Sequence, residues 1–291
     1  MTAGFFHNEK PAVIDRRYSD EHSMTANQLL DAGRLTEAIA KLSDDIKLNP
    51  GDLRSRVFLF ELLCFSGDLV RAQKQLDVIT GSEADAEVAV ARYRNVLAAE
   101  AVRRDVFSGR SLPHISDPRP AYADLHIAAL KEVNEGKPDA ALALLEQAAA
   151  LQNPLSGSVD GASFQDFHDC HHVVGPFLEA IIEGVYTWVP LESVRSLSLA
   201  SPKYLRDLCW TPARLQLHSG VVGEAYLPVL YAGSYLHTDD NVRLGRLTEW
   251  KTGCGELSLG IGQRMFAAGD DDRAILEMRE VEFDHANSSS S

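Results

Sequence analysis

Leu29-Leu30-Asp31-Ala32-Gly33-Arg34-Leu35-Thr36-Glu37-Ala38 sets out a helix, a glycine turn and the start of a second helix. The pattern continues through Ile39, Leu42, Ile46 and Leu48 to Asn49-Pro50, with its apolar residues at helical spacing. Gly33 can adopt the positive φ that ends one helix, and Ala38 lets the next helix pack closely. Pro50 then stops it. Gly67 stands 34 residues after Gly33 in the same setting, with Val57, Leu59, Leu62 and Leu63 before the turn and Ala72, Leu76 and Ile79 after it. A third unit, Glu135-Gly136-Lys137-Pro138-Asp139-Ala140-Ala141, runs through Leu142, Leu144 and Leu145 to Asn153-Pro154.

A 34-residue period of paired helices is that of tetratricopeptide (TPR) repeats. Between the second and third units, Ala84 to Phe107 is alanine-rich and helical in pattern but lacks the glycine turn. Ser111 to Pro120, with Pro113, Pro118 and Pro120, reads as a non-helical connection. Beyond Pro154 a Ser/Gly-rich joint leads to Phe164–Gly184, read as a helical entry segment. Strand signals follow, first Val185-Tyr186-Thr187-Trp188-Val189, then Arg214–Leu217, Ala225–Leu230, Gly255–Leu259 and Ala274–Glu282. Asp270-Asp271-Asp272 reads as a hairpin tip, and Gly253-Cys254-Gly255 and Gly260-Ile261-Gly262 as turns or bulges. The expected fold is α+β, with an N-terminal TPR-like helical array at 24–154 and a smaller β-containing domain at 155–282. Residues 1–23 read as a flexible extension and 283–291 as a tail.

The chain has 291 residues, 45% of them hydrophobic, and a net charge of −14. That charge opposes a phosphate-neutralising surface, so nucleic acid is not an expected partner. Arg92, Arg94, Arg103 and Arg104 are the one candidate basic patch and read as a solvated helix face. Apolar runs such as Phe177–Pro190 are broken by Glu179 and Glu183, so no membrane span is expected. The N-terminus offers Phe5-Phe6 but no apolar run behind a basic region, so no secretory signal is expected and the location reads as cytoplasmic. Cys64, Cys170, Cys209 and Cys254 are far apart and read as reduced thiols.

Chemistry could reside in His168-Asp169-Cys170-His171-His172, where a helix would place His168 and His172 one turn apart for a transition metal. The alternative function is therefore a metal-dependent hydrolase centred on His168, His171 and His172. A third ligand and the HExxH pattern are missing, as are a GxSxG elbow, a P-loop and a dinucleotide fingerprint. No catalytic residue, metal or cofactor is expected. A third reading is an assembly subunit whose main property is self-association. Repeat geometry puts the first helix of each unit on a concave face that accepts a peptide or helix. The partner-binding candidates there are Asn27 and Asp31, then Arg54, Glu61 and Phe65, then His126 and Asn134.

The run Gly175-Pro176-Phe177-Leu178-Glu179-Ala180-Ile181-Ile182-Glu183-Gly184-Val185-Tyr186-Thr187-Trp188-Val189-Pro190 resembles the signature of the ImpE family (TagJ or SciE type), accessory proteins of bacterial type VI secretion systems. The resemblance continues in Val194–Leu197, Leu205–Ala213, Arg246–Trp250 and Leu259–Met265, and earlier in Val57–Cys64 and Val106–Arg110. The chain departs from the family at Asp169-Cys170-His171-His172-Val173-Val174, where an aspartate-rich stretch ending in Arg-Leu is usual. The resemblance implies an adaptor without catalytic residues. Its implied partners are the N-terminal segment of the small, TssB-type sheath subunit and the ClpV ATPase that recycles the sheath.

Overall fold

The computed structural model describes residues 24–79, 84–252 and 257–284. The extension at 1–23, Cys254 with its flanking glycines, and residues 285–291 lie outside the described residues. The first half is helical, with α1 (Ala26–Asp31), α2 (Leu35–Leu48), α3 (Leu53–Ser66), α4 (Leu69–Val78), α5 (Ala84–Phe107), α6 (Ala123–Asn134) and α7 (Pro138–Ala149). The three repeat glycines adopt φ of 73°, 77° and 71° at Gly33, Gly67 and Gly136, each between paired helices. Side chains complete the caps. Thr25 and Gln28 form a reciprocal capping box at α1, and Asp52 accepts from the Arg54 and Ser55 amides at α3. The proline-rich connection carries one short strand, β1 (His114–Ile115).

From Ser156 the chain is built of strands: β2 (Ser156–Val159), β3 (Ala162–Gln165), β4 (Phe167–Asp169), β5 (Phe177–Ile182), β6 (Val185–Pro190), β7 (Val194–Leu199), β8 (Trp210–Leu217) and β9 (Val222–Pro228). After the short helix α8 (Asp240–Arg243) come β10 (Thr248–Thr252), β11 (Ser258–Gly262), β12 (Met265–Ala268), β13 (Asp271–Ala274) and β14 (Glu280–Phe283). A nine-stranded sheet has the order β1-β6-β5-β9-β8-β7-β14-β2-β3, beside a β10-β11 hairpin and a β13-β12-β4 sheet. The connection between α5 and α6 thus joins the sheet edge, with His114 and Ile115 opposite Thr187 and Trp188 in parallel pairing.

The expected helix over Phe164–Gly184 is instead β3, β4 and β5, with a single 3-10 turn at His172–Val174. The reason is burial on both faces. Phe177 and Ile181 join the core beneath the helices, while Leu178 and Ala180 join the core on the opposite side with Phe167 and Phe266. Such a strand shows no alternation of polar and apolar residues, and a short apolar run does not separate strand from helix. The Asp270–Asp272 hairpin turns at Gly269-Asp270, so Asp271 and Asp272 already lie in β13. Gly260 and Gly262 fall in β11, where Gly260 lies against the Tyr231 ring. Phe283 is buried in β14 and the Asp284 amide donates to Ser156, so the last strand enters what the sequence reads as tail.

The cores of the two halves are continuous. One cluster includes Leu35, Leu62, Phe65 and Val96 from the helices and Phe177, Trp188 and Trp210 from the sheet. A strap over residues 233–246 fastens the repeat turns to the sheet. Arg246 donates to the carbonyls of Leu30 (2.8 Å) and Asp31 (3.0 Å), and Asp240 accepts from the Thr36 amide. Tyr235 lies on Gly67, whose φ is left-handed and where an added Cβ would strike the ring. Gly67→Ala therefore meets both an unfavourable backbone and a steric block, and should cost about 2 kcal/mol or more. The check is the urea midpoint, which should fall with the m-value unchanged.

Candidate functional site

Glu179 stands on the helix-facing side of β5, in a run otherwise apolar, and is 1% exposed. Arg103 of α5 donates to Glu179 through Nε at 2.7 Å and to the Leu230 carbonyl at 2.9 Å. Arg264, just before β12, pairs with Glu179 through one arm and with Asp169 through the other, and its Nε donates to the Pro228 carbonyl. Around this centre Tyr186 donates to Glu179, Trp188 Nε1 to the Tyr186 hydroxyl (2.6 Å), and Tyr231 to Asp169 (3.0 Å). Glu100 receives Arg103, Arg104 and Trp210 Nε1. The group balances three guanidiniums against three carboxylates. Burial alone would push the Glu179 carboxyl up, but the Arg103 and Arg264 guanidiniums outweigh it and hold it well below the usual carboxylate range. Arg103 and Arg104 therefore face inward and do not form a solvated face with Arg92 and Arg94.

The five-residue histidine cluster does not assemble. His168 lies on β4 beside Asp166 (3.4 Å), His171 turns into the core, and His172 accepts from the Ser258 amide through Nδ1 (3.1 Å). A strand followed by a 3-10 turn cannot give the one-turn spacing that a helix would. Among the described residues no group of three or more His, Cys, Asp and Glu side chains is placed to hold a metal ion. His171 packs against Phe107 and Tyr231, and its Nδ1 has no hydrogen-bond partner. Cys64 and Cys209 are buried, and burial raises both thiols well above their ordinary range.

The seven residues assigned to a concave binding face do not share one surface. Phe65 is 1% exposed beneath the C-terminal half. Glu61 is buried and paired with Arg206 at 2.7 Å. His126 donates through Nδ1 to the Val173 carbonyl (2.8 Å), and its other nitrogen accepts from the Gln152 amide (3.2 Å). These three face the chain's own β half, because the sheet and the strap occupy the side of the repeats expected to be open. Asn134 is exposed on α6, away from the others, and the Asp31 carbonyl is taken by Arg246. Asn27 and Arg54 remain exposed and line one groove between α1 and α3, with Leu53, Val57 and Phe58 along it and Glu61 at its end. Arg206 closes that end, its guanidinium 4.0 Å from the Tyr204 ring centre and 4.9 Å from that of Tyr93. Sequence reading missed Leu53, Arg206 and Tyr204, which no local pattern marks.

With the architecture described, similarity to known proteins becomes interpretable. Residues 161–282 match the ImpE protein family and residues 29–99 a tetratricopeptide repeat family. The type VI secretion system accessory component TagJ of Pseudomonas aeruginosa is 38% identical over 271 residues, covering 93% of this chain and 95% of that protein. This chain belongs to the ImpE family. Its fold is also that of protein VPA1032 from Vibrio parahaemolyticus, whose crystal structure superposes with a TM-score of 0.81 at 23% identity, over 89% of this chain and 97% of that one. In the ImpE signature Gly175–Pro190, Glu179, Tyr186 and Trp188 are the members of the buried ionic group, so the signature marks the core of the fold.

Replacing Glu179 by Gln in this ImpE-family chain leaves Arg103 and Arg264 short of a buried countercharge. The expected loss is about 3 to 5 kcal/mol, read as a lowered urea midpoint. Acid sensitivity has a second source. Burial pushes His126 and His171 each down to about 4 from an ordinary 6.5. Because the folded value is depressed, the unfolded chain takes protons first, so this stability is complete above about pH 6.5 and is lost as pH falls toward 4. Glu179 adds a loss below its ordinary range, near 4.5. Urea midpoints at pH 7.5 and pH 5 should differ in the unmodified protein, and the difference should shrink in His126→Gln.

Proposed function

We propose that this chain is a non-catalytic accessory protein of a bacterial type VI secretion system. It works in the cytoplasm, where it binds the N-terminal segment of the TssB-type sheath subunit and assists sheath assembly or ClpV-dependent recycling. The observation that carries this reading is the match to the accessory component TagJ across nearly the whole of both chains. The helical repeats favour a protein ligand, since their architecture offers extended helix faces. No helix among the described residues is long and apolar enough to cross a membrane. The hydrolase alternative has no support from geometry, because His168, His171 and His172 make three separate sets of contacts.

The test uses the full chain as bait, because the hydrophobic core runs through both halves. Purified cognate TssB-type subunit should be retained, and the same subunit lacking its N-terminal segment should pass through. Equal retention of both forms would move the contact elsewhere on the subunit, and retention of neither would remove the sheath subunit as partner.

A further inference from the structure

The surface at α1 and α3 has a charge out of keeping with the rest of the molecule. The chain carries a net −14, yet the first turn of α3 holds Arg54 and Arg56 and no acidic residue. That turn is the positive end of a 14-residue helix, where guanidiniums add to the helix dipole instead of opposing it. Arg56 is engaged by the Pro50 carbonyl and Gln75, with no carboxylate. Arg54 is exposed and forms no ion pair with any described residue. Of the carboxylates around the groove, Asp52, next to Arg54 and electrostatically coupled to it, caps the helix, and Glu61 holds Arg206. Beside this positive end lies an apolar strip of Leu53, Val57 and Phe58, with Leu53 48% exposed in the first turn.

We propose that the α1/α3 groove is the docking site for an amphipathic, acidic segment of the partner protein, with a carboxylate on Arg54 and apolar side chains along Leu53, Val57 and Phe58. This rests on the functional reading above and adds the surface and the chemistry it selects. The argument is charge complementarity. A carboxylate placed on Arg54 gains a bidentate pair and the helix dipole together, whereas a basic segment meets repulsion from Arg54. Both anchoring positions are exposed and stand outside the ionic core, so changing them leaves the fold intact. Phe65 does not serve here, since truncating a fully buried ring would destabilise the fold and obscure any effect on binding.

The experiment measures affinity for a synthetic peptide of the TssB-type N-terminal segment by calorimetry, using the full chain. Arg54→Glu and Leu53→Ser should each weaken binding tenfold or more, with unchanged circular dichroism and melting temperature. Leu112→Ser, at an exposed leucine far along the chain, should bind as the unmodified protein does. Replacing the peptide's carboxylates by lysine one at a time should identify one whose lysine form binds Arg54→Glu better than it binds the unmodified protein. Affinity should also fall with rising salt. If the unmodified protein binds but Arg54→Glu and Leu53→Ser bind within twofold of it, the groove assignment is overturned while the functional reading stands. If the unmodified protein does not bind the peptide, both fall.

Discussion

A carboxylate shared between two buried guanidiniums joins the layers of this protein. Glu179 sits in the central sheet, Arg103 reaches it from the long helix α5, and Arg264 reaches it from the approach to the small sheet. Removing charges from water is costly, and the cost is offset only when each charge meets its opposite and every remaining donor is satisfied. Here Arg103 also finds the Leu230 carbonyl and Arg264 the Pro228 carbonyl, while Asp169 takes the second arm of Arg264. The geometry that satisfies all of them together is a single arrangement of helices against sheet. Hydrophobic contact alone would permit sliding between these layers. The ionic group fixes their register.

That constraint changes what the helical repeats can do. A TPR array usually leaves its concave side to a ligand, but in this chain the sheet and the strap at 233–246 fill much of it. Arg246, Asp240, Asn241 and Tyr235 occupy the positions around the Gly33 and Gly67 turns. Leu62, Leu63 and Phe65 of α3 are buried as a result, and the helix shows almost no polar face over its C-terminal half. Its N-terminal half stays at the surface. The groove beside α1, lined by Asn27, Leu53 and Arg54, is left open at the surface.

Several parts of this architecture were legible in the residues. Gly33, Gly67 and Gly136 have a local signature, since a helix followed by a residue at positive φ and another apolar helix is specified within about ten positions. Val185-Tyr186-Thr187-Trp188-Val189 is composed of strand-favouring residues and forms β6 as expected. Family membership was legible through the ordered blocks around Gly175–Pro190. The strand Phe177–Ile182 was not, because burial on both faces erases the period of two.

The sequence by itself determined that paired helices precede strands and that the chain belongs to the ImpE family, because glycine turns, apolar periods and signature blocks are local properties. Only the tertiary structure decided which polar residues are interior. Arg103 and Glu61 look like ordinary helix-surface residues, yet their partners are Glu179, 76 positions away, and Arg206, 145 positions away. Sequence spacing carries no information about such pairs. Their burial depends on the sheet closing over the helices, and that same closure decides that Phe65 and His126 are core while Asn27, Leu53 and Arg54 remain at the surface.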